Sequence, residues 1–437
     1  MMLEGERSTK LHRVVLQMGL PTAAAMFLGT LYAPIDLWCA SKLGAEAVVA
    51  IAFSAPLFFI LMSFSSGLSQ ATTALIATRL GGGKTEEAQM IWTHALLLAI
   101  LIGMGLGILG LWFIPAMLKA QGASGESLLL ARSFSLALFG GAIAFLLVPT
   151  INSALIATGD ARSNFYFLLG GCVANLVFNL SLMSVWGIVG LAISTVLVQV
   201  LGVIGLYTIS KKRGWALRGY FKPQMSIFKI IISQSLPTVI NMLMIPVAVF
   251  LVTKQVAEFG SEAVAGYGFA ARIEHLFSMP LIGLVAPILP LAARAHGSGD
   301  SNLAFRTWTK GLALALGLSL VVAILMVYSA PWLCAFSGLS GSALEHMGRY
   351  LFFAAITLPA YPLLFSVVFF MQALGKPVYG MWMGLARHCI APLFLLPVFA
   401  FQLGLSGVWI AILTIAWTAA CFALLFGLSH KRQLTKS

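Results

Sequence analysis

The chain has 437 residues, 60% of them hydrophobic and only 9% charged. Soluble domains carry about 25% charged residues, so that balance excludes a soluble enzyme or a soluble binding module. The formal net charge of +13 falls in loops between apolar runs, a distribution that suits a membrane surface and not nucleic acid.

Apolar runs of about 20 residues cross a bilayer. Twelve are expected along the chain, at 14–41, 46–78, 88–118, 127–157, 163–186, 188–210, 227–257, 262–293, 305–335, 344–374, 378–401 and 405–429. In lipid each backbone polar group must be satisfied within its own segment, so the spans are helices. The fold class is an all-α polytopic membrane protein. The polar first 13 residues and the length of the first run read as a first span and not as a cleaved leader.

That first run ends in Phe27–Lys42 and carries an acid, Asp36. Of the 13 acidic residues, eleven lie in the N-terminal tail, in loops or at segment ends, and only Asp36 and Glu274 sit well inside apolar segments. A carboxylate at membrane depth is costly and marks a functional site by default. The bases are biased too. With twelve spans, 19 of the 26 Lys and Arg fall on the side that holds both termini, and the dense group is Lys211 to Lys229. Basic loops stay cytoplasmic, so both termini are expected in the cytoplasm. The five cysteines form no CxxC pair and read as small packing residues.

The basic stretch divides two copies of one unit. Leu20-Pro21-Thr22 recurs as Leu236-Pro237-Thr238, and Gly44 matches Gly260. Gly67 matches Gly283, Gly81 matches Gly297 and Gly159 matches Gly375, each pair 216 positions apart. Gly187-Ile188-Val189-Gly190 and Gly404-Leu405-Ser406-Gly407 match with one residue of slippage. The division is therefore an N-lobe at 1–210, a cytoplasmic linker at 211–226 and a C-lobe at 227–437. Six spans per repeat give two lobes in parallel orientation, related by a pseudo-two-fold axis along the membrane normal, as in transporters. The ionisable groups are not repeated: Asp36 maps onto Val252, and Glu274 onto Phe58.

Counting about 1.5 Å per residue from the outer ends of spans places Asp36, Asn179 and Thr195 at one level. Asn175 lies one turn deeper than Asn179 on the same helix face. Four such groups from three helices are either helix-gluing hydrogen bonds or a pocket around one carboxylate. Gluing helices needs no acid, so the pocket is the stronger reading for Asp36. Pro21 and Pro34 in the same helix free backbone carbonyls and permit bending.

The pair Leu20-Pro21 followed by Asp36, with GLSQATTALIATRLGGGKTEEA, NSALIATGDARSNF, NLVFN and GIVGLAIST, resembles the multidrug and toxic compound extrusion (MATE) family. The likeness covers the whole chain and is greatest to the DinF-like prokaryotic branch, whose acid is in the first span. It implies cation-coupled export of amphipathic, often cationic compounds. It also implies that Asp36, Asn175, Asn179 and Thr195 form the N-lobe cation site, and that Pro21 is the bend of the first helix. One departure matters: Asn179 stands where such relatives often have Asp. A hard cation prefers charged oxygens, so protons are favoured as the coupling ion and sodium is the alternative.

In the second repeat, Glu274 lies near midplane, Arg272 lies on the opposite face of its helix, and Arg387 sits at comparable depth. Glu274 and Arg387 form either a structural ion pair or a second charge site for substrate or proton. No His or Cys spacing supports a metal site, and Gly81-Gly82-Gly83-Lys84 is a turn without the full phosphate-loop pattern. No cofactor is expected. The partners expected are small drug-like molecules and the lipid bilayer, with no nucleic acid, and a monomer is expected. A lipid-linked oligosaccharide flippase of the same superfamily is the remaining alternative, disfavoured because only Arg272 and Arg387 are deep.

Overall fold

The structure is a computed structural model and describes residues 4–217 and 223–434. Residues 218–222 of the expected linker lie outside the described residues. So do the side chains of Arg7, Lys10, Lys431 and Arg432, and all of Lys436, which belong to the charge bias above.

The described residues form helices and no strand. These are α1 (Glu4–Ser41), α2 (Ala45–Gly81), α3 (Thr85–Ala120), α4 (Gly125–Gly140), α5 (Ala142–Ala157), α6 (Arg162–Lys212) and α7 (Met225–Ala257). They continue as α8 (Ser261–Val285), α9 (Ile288–Gly297), α10 (Ser301–Phe336), α11 (Gly341–Thr357), α12 (Ala360–Ala373), α13 (Pro377–Leu385) and α14 (Ala391–Leu434). A π-helical turn, Ala386–Ile390, joins the last two.

Eight helical stretches are long and apolar enough to cross a bilayer, and two pairs bent by 45°, α4 with α5 and α11 with α12, raise this to ten. Two of the ten, Arg162–Lys212 and Pro377–Ser429, have 51 and 53 residues. At 1.5 Å per residue each would run about 77 Å, more than twice the hydrocarbon thickness. Each is broken by a glycine. Gly187 has φ 56° and ψ −133°, and Gly404 has φ 61° and ψ −147°, backbone that is open almost only to glycine. The chain folds back at these points. Gly190 lies against the Leu182 carbonyl and Gly407 against that of Phe399, so neither has room for a side chain. Counting both stretches as two spans gives the twelve expected crossings.

Two compact units result, Leu28–Leu243 and Met1–Phe27 with Met244–Ser437. Their limits fall inside α1 and α7, whereas the repeat divides the chain at the basic linker. The inner parts of these helices are held by repeat-related glycines. In the first unit Gly67 of α2 leaves room for Val239 of α7, and in the second Gly283 of α8 leaves room for Ala23 of α1.

A buried carboxylate as the candidate functional site

Asp36 lies near the C-terminal end of α1, and the two limbs of α6 bring the rest of its surroundings. The fold-back at Gly187 sets Asn175 and Asn179 on the first limb against Thr195 on the second. All three are buried, Asn175 and Asn179 at 0% exposure. A straight helix would hold residues 175 and 195 about 30 Å apart, but here Asn175 Nδ2 donates to Thr195 Oγ1 at 3.3 Å.

Thr195 Oγ1 donates to the Leu191 carbonyl at 3.2 Å. Asn175 donates to Thr195, and its Oδ1 accepts from Asn179 Nδ2 at 3.2 Å. Asn179 Nδ2 also donates to Asp36 Oδ1 at 2.7 Å, the short distance of a charge-assisted bond. The Asn179 amide thus serves the carboxylate on one side and Asn175 on the other, and from Asn175 the donors lead away from Asp36 to Thr195 and the Leu191 carbonyl. Asn179 Oδ1 is buried and accepts nothing. An orphan acceptor in a buried network carries a desolvation cost of about 1–3 kcal/mol, so the network lacks one donor.

Asp36 is itself half-buried because it faces a cavity of about 300 Å³ within the first unit. Phe58, Met62, Phe134 and Phe145 line that cavity together with Thr195. Aromatic and methionine walls adapt to varied apolar shapes, and one carboxylate at the rim supplies charge. Tyr32, one turn before Asp36 on α1, also lines it and reaches Gly171, where any side chain would collide with its hydroxyl. Tyr32 was not singled out from sequence, although its i, i+4 relation to Asp36 places it on the same face.

Helix α1 runs unbroken through Pro21 and Pro34. Beside Pro21, the Thr22 hydroxyl donates to the Met18 carbonyl at 2.8 Å. Among the described residues no three of His, Cys, Asp and Glu group together. The side-chain oxygens of Asp36, Asn175, Asn179 and Thr195 gather at this site, and Tyr32 faces the same cavity.

The second unit arranges its acid differently. Glu274 is 7% exposed, and its two oxygens accept from Tyr350 Oη at 2.5 Å and Tyr361 Oη at 2.6 Å. The ion pair weighed for Glu274 and Arg387 is not formed. Tyr361 stands between them, with its hydroxyl on Glu274 and the Arg387 guanidinium over its ring at 5.0 Å. Two phenols neutralise less charge than an arginine, but they satisfy the carboxylate's lone pairs without burying a second ion. Tyr267 and Trp409 pack on Tyr350 with ring centroids 5.1 and 4.9 Å away. Arg272 is exposed and does not join this cluster.

Comparison with known proteins agrees with both the repeat and the fold. The MatE family model matches residues 21–181 and again 237–398. An FAD transporter of Shewanella oneidensis is 25% identical over 93% of this chain and 92% of its own length. A probable multidrug resistance protein, NorM, of Thermotoga maritima is 23% identical over 98% of the chain and 95% of its own length. Among solved structures, a MATE protein in complex with MaL6 superposes with a TM-score of 0.92 at 25% identity, covering 98% of both chains. A MOP superfamily transporter from Pyrococcus furiosus gives 0.92 at 24% identity, over 98% of this chain and 97% of that one.

Proposed function

Because the chain belongs to the MatE family of membrane transporters, we propose that this multi-pass protein, which is not an enzyme, is a proton-coupled antiporter. It exports amphipathic compounds by alternating access, with Asp36 as the proton carrier. The observation that carries this reading is the buried Asn179 amide, which donates to both Asp36 and Asn175 while its own oxygen is left without a donor. A deprotonated Asp36 accepts a hydrogen bond from the Asn179 amide. A protonated Asp36 offers a hydroxyl of its own and needs an acceptor, and Asn179 Oδ1 is a buried oxygen of its bonded partner that lacks a donor. Loading and releasing one proton therefore rearranges the bond between α1 and the first limb of α6, with Thr195 on the second limb linked through Asn175, and Pro21 and Pro34 let α1 follow. The aromatic cavity beside Asp36 holds the exported molecule and changes volume as α1 bends.

Sodium is the competing ion. Asn179 supplies no negative charge, so the site offers one carboxylate among neutral oxygens, a weak set for a hard cation. Glu274, with Arg387 behind Tyr361, is a second charge site in this reading, and Arg272 an exposed cation outside it. The protein works as a monomer without a cofactor in the bacterial inner membrane, both termini cytoplasmic.

A second reading concerns the substrate. One relative that matches nearly end to end is an FAD transporter, and FAD is a planar anion, not a cationic drug. Arg387, a cation inside an apolar span, favours including anions in the substrate range.

The test is ethidium efflux from proteoliposomes under a pH gradient or a sodium gradient, for the wild type and Asp36→Asn. Efflux driven by pH and lost in the variant supports the reading. Efflux driven only by sodium overturns the coupling assignment.

A further inference from the structure

Arg387 lies ten residues into the span that starts at Pro377, about 15 Å from its cytoplasmic end. A charge at that depth is costly and is ordinarily paired. Among the described residues Arg387 has no acidic partner, and its recorded contact is the Tyr361 ring. It sits in the π-helical turn Ala386–Ile390, a local widening of the helix that recurs at functional sites.

Arg387 also lines a cavity of about 420 Å³ within the second unit, inside the range of small-molecule sites. One wall is a single face of α13 and the π turn, with Trp382 about one turn and Tyr379 about two turns before Arg387. The other is a single face of α14, with Thr418, Phe422 and Phe426. Phe426 packs against Tyr379 at 4.8 Å between ring centroids and stacks nearly parallel on Phe422 at 6.5 Å. Trp382 and Phe422 are 57% and 64% exposed, so both present open ring surface to an occupant. The walls offer flat apolar faces, Thr418 a hydroxyl, and Arg387 the one charge.

We infer that this groove between α13 and α14 binds a planar aromatic anion, with the ring system against Trp382 and Phe422 and the anionic group on Arg387. Guanidinium is suited to this because its planar fork holds a phosphate or carboxylate through two bonds while its face stacks on rings. The site differs from the Asp36 cavity in the sign of its charge. It rests on the transporter reading and extends it to a second class of substrate. Occupation has a built-in route to the rest of the unit: an anion on Arg387 weakens the pull of the guanidinium on the Tyr361 ring, and the hydroxyl of that ring holds Glu274.

The experiment uses the full chain in phosphatidylcholine nanodiscs, titrated with flavin mononucleotide and, separately, with riboflavin, the same ring without the phosphate. Quenching of flavin fluorescence reports binding. Saturable binding of the mononucleotide is expected, at least tenfold tighter than riboflavin, with that preference abolished in Arg387→Gln and reduced in Arg387→Lys. Trp382→Ala is expected to weaken both flavins. If Arg387→Gln yields no folded protein, the wild-type preference for the mononucleotide and its decline with added salt decide the matter. Asp36→Asn separates the two readings: it removes proton-driven ethidium efflux, and flavin mononucleotide binding retained in it supports an independent site. Absence of saturable binding to the wild type, or wild-type affinity in Arg387→Gln, overturns the proposal. Abolition of binding when phosphatidylglycerol replaces phosphatidylcholine assigns the groove to lipid and also overturns it.

Discussion

Tyr361 donates its hydroxyl to Glu274 at 2.6 Å, and 216 positions earlier Phe145 meets Phe58 edge-on with ring centroids 5.8 Å apart. The third partner follows the same rule, since Tyr350 is 216 positions after Phe134. Three repeat-related sites thus form an aromatic cavity wall in the first unit and an acid held by two phenols in the second. Removing one phenol leaves a buried carboxylate under-satisfied, at a cost of about 1–3 kcal/mol. Removing the charge together with both hydroxyls leaves nothing unsatisfied among the three. Tyr350→Phe and Tyr361→Phe are therefore each expected to lower the melting temperature of the solubilised protein. The triple variant Glu274→Phe, Tyr350→Phe, Tyr361→Phe is expected to fall by less than the sum of the single changes. Strict additivity in thermal unfolding would refute this account of the network.

Asn179 is the position at which the proton and sodium readings can be told apart. Its Nδ2 is 2.7 Å from Asp36 Oδ1, so Asn179→Asp sets a second carboxylate against the first. Two acids at that distance cannot both ionise in a dry site unless they share a proton or a cation. The variant is expected to gain sodium-dependent efflux, measured as ethidium release from proteoliposomes under a sodium gradient at fixed pH. Efflux that ignores sodium in this variant would count against the pocket as the coupling site.

Much of this site was legible in the residues themselves. An acid inside an apolar run stands out because lipid penalises it, and Asn175 and Asn179 share a face through their four-residue spacing. The twelve crossings followed from apolar length, and Gly187 and Gly404 already marked the interruptions in two stretches too long for one span. The partners of Glu274 were not legible. Opposite charge pointed to Arg387, but the contact depends on how α8, α11 and α12 close together, and a tyrosine occupies the place between. The repeat held a clue here, since the counterparts of Glu274, Tyr350 and Tyr361 are all phenylalanines. The limits of the compact units inside α1 and α7 were equally hidden, because an apolar run does not reveal which neighbour its two ends choose.

Gly187 offers a direct test of the fold-back that builds the pocket. With φ 56° and ψ −133°, any side chain there is strained by about 1–3 kcal/mol. Gly187→Ala is expected to reduce the yield of folded protein and to impair pH-driven efflux in what remains, because Asn175 and Thr195 meet across this turn. An alanine variant with wild-type melting temperature and efflux would show that the turn tolerates other backbone geometry.

Gly283 and Gly67 are related by the repeat, yet their neighbours give way unequally. A Cβ on Gly283 would stand 2.6 Å from Ala23 Cα and 2.8 Å from Ala23 N, both backbone atoms of α1. At Gly67 the nearest atom is a methyl of Val239, and the backbone atoms Val239 N and Ser235 O lie at 3.0 and 3.2 Å. A methyl is relieved by trimming the side chain, whereas a helix backbone moves only as a whole. Overpacking of this kind costs about 1–3 kcal/mol, and the upper end is expected for Gly283→Ala. Gly67→Ala is expected to be milder and to be largely restored by Val239→Ala, whereas Ala23→Gly, which leaves the α1 backbone in place, restores little at Gly283. Thermal unfolding of the four variants in detergent checks this, and equal losses at the two glycines would show that the helices shift apart as units at both contacts.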